Sequence, residues 1–155
     1  MRTQRRINSR SISVFLAITL GQALLLRVAI PATAQQFIAR LTTTGNQPIT
    51  VNNASAASGA SLLTGATIET PAAVTATIKI DRLGTVTVKP NSSIRLDFND
   101  SGNVRVKVLR GCVRSSKNGP GEAEVYTAEG ASEKTNSKRK SMGFCYLDGK
   151  LTASK

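Results

Sequence analysis

Basic side chains at alternating positions form the first candidate site in this sequence. Residues 83–98, LGTVTVKPNSSIRLDF, alternate apolar and polar types, which predicts strands with one buried and one exposed face. If consecutive strands pair as hairpins, the exposed face carries a row of four residues: Lys79, Thr87, Arg95 and Lys107. Such a row suits an anion, because like charges opposite each other on a sheet are mildly unfavourable. The alternative is that these charges only keep an exposed sheet soluble.

A second basic cluster occupies residues 133–141, EKTNSKRKS, and comprises Lys134, Lys138, Arg139 and Lys140. No aromatic residue interleaves these charges, and proteins bind single-stranded nucleic acid on aromatic platforms, so no nucleic-acid partner is predicted. The pattern is typical of a solvated loop, with contact to a polyanion such as a lipid headgroup or wall polymer as the alternative. Residues 137–140 match the S-x-x-K pattern of penicillin-recognising enzymes, but the other motifs of those enzymes are missing.

The chain lacks the residue types that most catalysed reactions need. It has no histidine, which is the commonest general base and transition-metal ligand. Its two cysteines therefore have no imidazole to activate them, and two cysteines alone do not form a structural zinc site. Three acids, Asp81, Asp97 and Asp100, flank two turns without the ligand spacing of a calcium loop. We expect a non-enzymatic protein with no cofactor and no metal.

Residues 1–34 have the pattern of a secretory signal peptide. A segment with four arginines precedes an apolar run at 12–26, and residues 32–34, Ala-Thr-Ala, suit signal peptidase. An uncleaved anchor is the alternative, although 15 helical residues span about 22 Å, less than a hydrocarbon core of about 30 Å. Cleavage removes five of the 21 Lys and Arg and none of the nine acids, so the net charge falls from +12 to +7. We expect an exported bacterial protein, periplasmic or extracellular, that meets the membrane only through this segment.

Export bears on Cys112 and Cys145, because thiols outside the cytosol tend to oxidise. A disulfide between them would close a loop of about 30 residues and stabilise the fold by roughly 3 to 4 kcal/mol. The alternative is two separately buried thiols, because pairing depends on a geometry that sequence spacing does not give.

The elements that position these residues are short strands. Turn-forming residues recur at short intervals and leave no room for a long helix, so we predict an all-β fold of antiparallel strands in a compact sandwich or β-helix-like arrangement. A three-residue loop at 82–84 sets the predicted register of the strands on either side of it. The predicted pairs are Ile80 with Val86, Lys79 with Thr87, Val88 with Ile94, Thr87 with Arg95, Phe98 with Val104, Asp97 with Arg105, and Arg95 with Lys107.

Four segments follow from composition. Residues 1–34 are the signal peptide, and 35–58 hold N-terminal strands and a linker, with the small, polar stretch 52–61 as a loop. Residues 59–130 form the main β domain. Residues 131–155 hold the basic loop and a C-terminal hairpin, whose Asp148-Gly149 pair is typical of a type I′ turn.

The run 59–115 carries a resemblance to a known family. It contains Gly59 and Gly65 before Ile68-Glu69-Thr70, a strand and turn over 80–84, and the closing segment VLRGCV at 108–113. With these features it resembles the FecR-like extracytoplasmic domain of bacterial iron-sensing regulators. The resemblance implies a non-enzymatic all-β module, compact and partly β-helix-like, with stacked strands at right angles as the rival to a simple meander.

In those regulators the domain follows a cytoplasmic sigma-factor-controlling region and a transmembrane helix, and it receives a signal from an outer-membrane receptor. Here residues 1–11 alone precede the apolar run, and the family's Val-Gly-Thr pattern is not evident after Gly130. We therefore expect a freestanding FecR-like binding or scaffold module that contacts an envelope protein. The alternative is an anionic glycan or lipid held by basic residues, namely Lys79, Arg95, Arg105, Lys107, Lys134, Lys138, Arg139 and Lys140. A hydrolase is the remote alternative, supported only by the presence of serines and acids.

Overall fold

A computed structural model describes residues 38–45, 47–119, 121–135 and 140–154, and every regular element in these ranges is a strand. The predicted all-β fold is therefore confirmed, whereas the predicted signal peptide lies outside the described residues. No helix in the described ranges is long and apolar enough to cross a bilayer. The strands are β1 (Ala39–Thr44), β2 (Ile49–Val51), β3 (Ala54–Ala56), β4 (Ser61–Leu62), β5 (Ala66–Thr70), β6 (Thr75–Ile80), β7 (Gly84–Val88), β8 (Ser92–Phe98), β9 (Val104–Lys117), β10 (Ala123–Tyr126), β11 (Ser132–Lys134), β12 (Ser141–Leu147) and β13 (Lys150–Ser154).

These strands form one curled sheet whose main path runs β3-β2-β5-β8-β9-β7-β6-β1-β4. The long strand β9 divides the sheet in two. The β5–β8 half contains β3, β2, β5, β8, residues 104–110 of β9, β10 and β11. The β6–β7 half contains β4, β1, β6, β7, residues 111–117 of β9, β12 and β13. All pairings are antiparallel except that of β10 with β9, which is parallel.

β9 passes from one half to the other through a bulge. Ile94 of β8 is opposite Val108, but Ser93 is opposite Arg110, so Leu109 is an extra residue. As a result even-numbered residues of β9 point inward up to Val108, and odd-numbered residues point inward afterwards. Gly111 follows the bulge with φ of 84°, and a Cβ there would lie 2.7 Å from the Cα of Ser92.

The inward faces of both halves share a single hydrophobic cluster. In most strands the alternate residues are apolar and fully buried, which is the pattern that a sheet with one solvated face requires. The largest fully buried side chains come from both halves: Leu41, Ile78, Ile80 and Phe144 from the β6–β7 half, and Ile49, Ile68, Ile94 and Leu96 from the β5–β8 half. The N-terminal strands therefore belong to the same core as the segment 59–130.

Two of the predicted hairpin registers are wrong. β6 does pair with β7, but Ile80 is opposite Gly84 and Ile78 is opposite Val86, two residues from the predicted register. The turn closes earlier because Leu83 is buried and its N–H donates to the carbonyl of Ile80 at 2.8 Å. β7 and β8 do not pair, so Val88 is not opposite Ile94. These strands lie in different halves, on either side of β9.

Other predicted registers are confirmed. Phe98 is opposite Val104, and the two further pairs across that hairpin also match, namely Asp97 with Arg105 and Arg95 with Lys107. The C-terminal hairpin forms with Leu147 opposite Lys150 and positive φ at Asp148 and Gly149. The predicted loop at 52–61 is partly wrong, because Asn52 and Asn53, both with positive φ, turn the chain directly into β3.

Candidate binding surfaces

The predicted row of Lys79, Thr87, Arg95 and Lys107 is divided between the two halves of the sheet. Lys79 and Thr87 lie on the outer face of the β6–β7 half, whereas Arg95 and Lys107 lie opposite each other on the outer face of the β5–β8 half. The predicted row depended on pairing β7 with β8, which does not occur. Two separate outer faces therefore replace it.

The outer face of the β5–β8 half holds basic and acidic residues side by side. We call it the paired-charge face; it comprises Arg95, Asp97, Arg105, Lys107, Glu124 and Tyr126. The Nε atom of Arg105 lies 2.9 Å from Oε2 of Glu124, on the neighbouring strand β10. The Nε atom of Arg95 lies 3.6 Å from Oδ2 of Asp97. Both arginines are thus partly neutralised.

Arg105 pairs with Glu124 and not with Asp97, although Arg105 and Asp97 are in register. Its guanidinium turns toward β10, where it pairs with Glu124 and lies 4.8 Å from the centre of the Tyr126 ring. The reason is geometric: β10 supplies a carboxylate and a ring face together, so the guanidinium gains an ion pair and a cation–π contact there.

Lys107 has an acidic neighbour in the β10–β11 turn. Glu129 is fully exposed, and its pKa is lowered mainly by a hydrogen bond from the Tyr146 hydroxyl, with a smaller contribution from the charge of Lys107. The same hydrogen bond is the largest cause of the raised pKa of Tyr146.

The outer face of the β6–β7 half has a different character. Two rows of residues cross the strands in register, and together we call them the threonine face. One row is Arg40, Lys79, Thr85, Ser116 and Ser141, and the other is Thr42, Thr77, Thr87, Arg114 and Gly143. Each row thus combines three hydroxyl side chains on neighbouring strands with one or two basic side chains.

The threonine face has no acidic residue in its strands. β1, β4, β6, β7, β12, β13 and residues 111–117 of β9 contain neither Asp nor Glu. Arg114 donates from Nε to Oγ of Ser141 at 3.1 Å, and within the described residues Arg40, Lys79 and Arg114 form no salt bridge. Arg40 and Lys79 are directly opposite each other, so two like charges are neighbours. Of the two basic surfaces, the threonine face is therefore the one whose positive charges are less neutralised by nearby carboxylates.

The sequence contained a signal for this face that the prediction did not use. Four threonines recur at alternate positions in β6 and β7, and neither strand contains an acidic residue. Arg40 and Arg114 were missed because they join Lys79 only through the pairing of β1 with β6 and of β7 with β9. Those contacts are long-range and leave no local pattern.

Cys112 and Cys145 form a disulfide between β9 and β12, at the margin of the threonine face. They occupy opposite positions in the register of these strands, so the bond joins two backbones that are already paired. The predicted pairing is thus present in the structure, and it is compatible with an exported protein.

The remaining predicted residues are dispersed. Lys134, on β11, lies 3.6 Å from a carboxylate oxygen of Glu122, and Lys140 is exposed just before β12. Lys138, Arg139 and Ser137 lie outside the described residues. Asp81 contacts Arg82 in the β6–β7 turn, far in sequence and in sheet position from Asp97. In the described ranges no three His, Cys, Asp or Glu residues lie close enough to hold a metal ion.

An open cleft of about 210 Å³ lies at the end of the β8–β9 hairpin, lined by Thr64, Asp97, Phe98, Asn99, Asn103 and Arg105. Its polar side chains already have partners in the chain. The Thr64 hydroxyl accepts from the N–H of Phe98, and the side-chain oxygen of Asn103 accepts from the N–H of Glu122. These contacts hold loops together, so the flat outer faces are the better candidates for a binding surface.

No family model, no curated protein and no solved structure matches this chain. The FecR-like resemblance consequently rests on the residues quoted for it and stays a prediction.

Proposed function

We propose that this protein is an exported, non-enzymatic, FecR-like binding module that contacts a component of the bacterial cell envelope through an outer face of its sheet. The observation that carries the proposal is the threonine face, where Arg40, Lys79 and Arg114 stand on rigidly paired strands without a carboxylate in those strands. A surface of one charge sign on a firm scaffold recognises a partner of the opposite sign.

Two classes of partner follow from the two lines of argument. The FecR-like resemblance favours an envelope protein, whose contact would be largely apolar or through a sheet edge. The acid-free threonine face favours an anionic envelope polymer, bound through charge and hydrogen bonds. The two classes differ in their response to salt. Binding of an anionic polymer should weaken as salt is added, because exposed charges more than about 10 Å apart are screened at 0.1 M ionic strength. A contact that is apolar or through a sheet edge should not weaken in this way.

The test is retention of the purified protein on isolated cell-envelope material at low and at physiological salt. Two variants with matched changes of charge are compared: Lys79→Glu with Arg114→Glu on the threonine face, and Arg95→Glu with Lys107→Glu on the paired-charge face. We expect the parent protein to be retained. The double variant on the threonine face should lose retention, and the double variant on the paired-charge face should largely keep it. Retention that resists salt and survives both pairs would favour a protein that docks elsewhere on the domain.

Absence of retention at either salt concentration would contradict the proposal. So would catalysis: turnover of ester or peptide substrates that disappears in Ser137→Ala would establish a hydrolase instead.

A further inference from the structure

We infer that the threonine face binds an extended anionic polysaccharide, with acid groups on its basic side chains and sugar hydroxyls along its threonine rows. This inference rests on the proposed function and names the ligand class for that function. Charge alone would suit any polyanion. The additional observation is the hydroxyl pattern between the charges.

The two rows of the threonine face form a regular lattice. Adjacent residues within a row sit on neighbouring strands, about 4.8 Å apart, and the rows are two residues apart along each strand, about 6.8 Å. Thr85 and Ser116 separate Lys79 from Ser141 in one row, while Thr77 and Thr87 precede Arg114 in the other. A pyranose ring is about as long as the interstrand spacing, so successive sugars of one chain can meet successive strands.

The side chains in these rows suit a sugar chain chemically. Each hydroxyl both donates and accepts a hydrogen bond, as the hydroxyls of a sugar do. Thr77, Thr85 and Thr87 are half-buried by their neighbours rather than free, and β-branched residues have few χ1 rotamers, so little entropy is lost on binding. The lattice is therefore pre-organised for a ligand with repeated hydroxyl groups.

The basic residues fix where the acid groups would lie. Arg40 and Lys79 are opposite each other on β1 and β6, and an anion between them would relieve their repulsion. Arg114 lies two strands from Lys79 and in the other row, so their backbone positions are about 12 Å apart. Two binding points at that separation match a polymer whose acid groups recur along the chain better than a single small anion.

A lipid surface fits these rows less well. Peripheral proteins bury aromatic or large aliphatic side chains at the membrane interface, and no position of either row carries one. The exposed large apolar residues, Ile38, Leu63, Leu109 and Leu147, all lie outside the rows. Single-stranded nucleic acid is disfavoured for a similar reason, because the rows offer no aromatic ring for stacking.

The experiment measures binding of the protein, expressed from its full chain and purified in the form to which the cell processes it, to three defined probes. These are polygalacturonate, neutral dextran, and vesicles with 30% phosphatidylglycerol, a composition chosen as about that of an anionic membrane surface. We expect binding to polygalacturonate, and weak or no binding to dextran and vesicles. Replacing Lys79→Gln and Arg114→Gln should weaken polygalacturonate binding by roughly thirtyfold, whereas Arg95→Gln with Lys107→Gln should change it less than threefold.

A second pair of variants tests the hydroxyls without changing the charge. Thr77→Val and Thr87→Val keep the shape and the strand preference, so the fold should be retained, and circular dichroism checks this. We expect polygalacturonate binding to fall by about tenfold, by a similar factor at low and at higher salt, because two hydrogen bonds are lost. Unchanged binding in this pair would show attraction by charge alone and would overturn the polysaccharide assignment.

The remaining outcomes are equally decisive. Binding to vesicles but not to polygalacturonate would assign the face to lipid and reject the inference. Equal losses in the two charge-neutralised pairs would show that the threonine face has no special role. Envelope retention without polygalacturonate binding would reject this inference and leave the proposed function standing, whereas loss of both would reject both.

Discussion

Cys112 and Cys145 lie directly opposite each other on β9 and β12, with Cα atoms 4.0 Å apart although the two residues are 33 positions apart in sequence. The disulfide holds β12, and through it β13, to the long central strand. Reduction, or Cys112→Ala with Cys145→Ala, should lower the free energy of unfolding by about 3 to 4 kcal/mol, because the unfolded chain regains the entropy of an open loop. Urea unfolding with and without reductant measures this difference.

The double alanine variant also serves as the control for the reductant. Its unfolding midpoint should not change when reductant is added, whereas that of the parent should fall to about the value of the variant. Labelling of the native parent protein by a thiol reagent, before any reduction, would contradict the disulfide.

Gly111 is the position where β9 changes halves, and its replacement should be among the most damaging single changes. Gly111→Ala places a Cβ 2.7 Å from the Cα of Ser92, in a backbone region that side chains disfavour. The conformational cost of about 1 to 2 kcal/mol is increased by overpacking of about 1 to 3 kcal/mol. Thermal and urea unfolding should show both contributions together.

Gly130→Ala is a matched control for that change. Gly130 has φ of 88°, close to the 84° of Gly111, but no atom lies within 4 Å of the added Cβ. Gly130→Ala should therefore lower the free energy of unfolding only by the conformational cost of about 1 to 2 kcal/mol. Equal losses at the two positions would mean that β8 moves away from β9 without cost, contrary to the packing described.

The pair formed by Arg105 and Glu124 should contribute little to stability. The Arg105 side chain is 56% exposed, and solvent screens such pairs, so a double-mutant cycle with Arg105→Ala and Glu124→Ala should give a coupling of about 0.5 to 1 kcal/mol. Single Arg105→Ala should cost slightly more than this, because the contact with Tyr126 is also lost. A coupling above about 2 kcal/mol would show that the pair is shielded from water.

The β8–β9 hairpin was predictable because its information is local. Phe98 and Val104 flank a short polar loop, and alternation on both sides fixes which residues face the core. The separation of β7 from β8 was not predictable in the same way. Val88 and Ile94 would alternate correctly whether their strands pair or lie in different halves, so the pattern does not distinguish the two topologies.

What separates β7 from β8 is a set of long-range contacts. The Thr70 hydroxyl hydrogen-bonds with the carbonyl of Lys89 and accepts from the N–H of Ser92, which holds the connection between the strands. Ser92 in turn accepts from the N–H of Cys112 on β9. The threonine face depends on the same topology, so its rows could be recognised only after the strands had been placed in their halves.

The hydrogen bond between Tyr146 and Glu129 predicts a pH dependence with two limits. The pKa of Glu129 is lowered in the folded state, so its contribution to stability is present above the ordinary value of 4.5 and is lost as the pH falls through the lowered value. The pKa of Tyr146 is raised, so its contribution is present below 10.0 and is lost as the pH rises through the raised value. Tyr146→Phe should therefore lower the free energy of unfolding at neutral pH. The difference in free energy of unfolding between parent and variant should become smaller toward low pH and toward high pH.

Carbon NMR titration of the Glu129 carboxyl tests the cause directly. In Tyr146→Phe the pKa of Glu129 should rise toward its ordinary value, but it should stay somewhat lowered, because a hydrogen bond from the backbone of Glu129 and the charge of Lys107 also lower it. Tyr126→Phe, which removes the other tyrosine hydroxyl, is the control and should leave the Glu129 titration unchanged. An unaltered Glu129 titration in Tyr146→Phe would show that β12 and the β10–β11 turn are not joined by this hydrogen bond in solution.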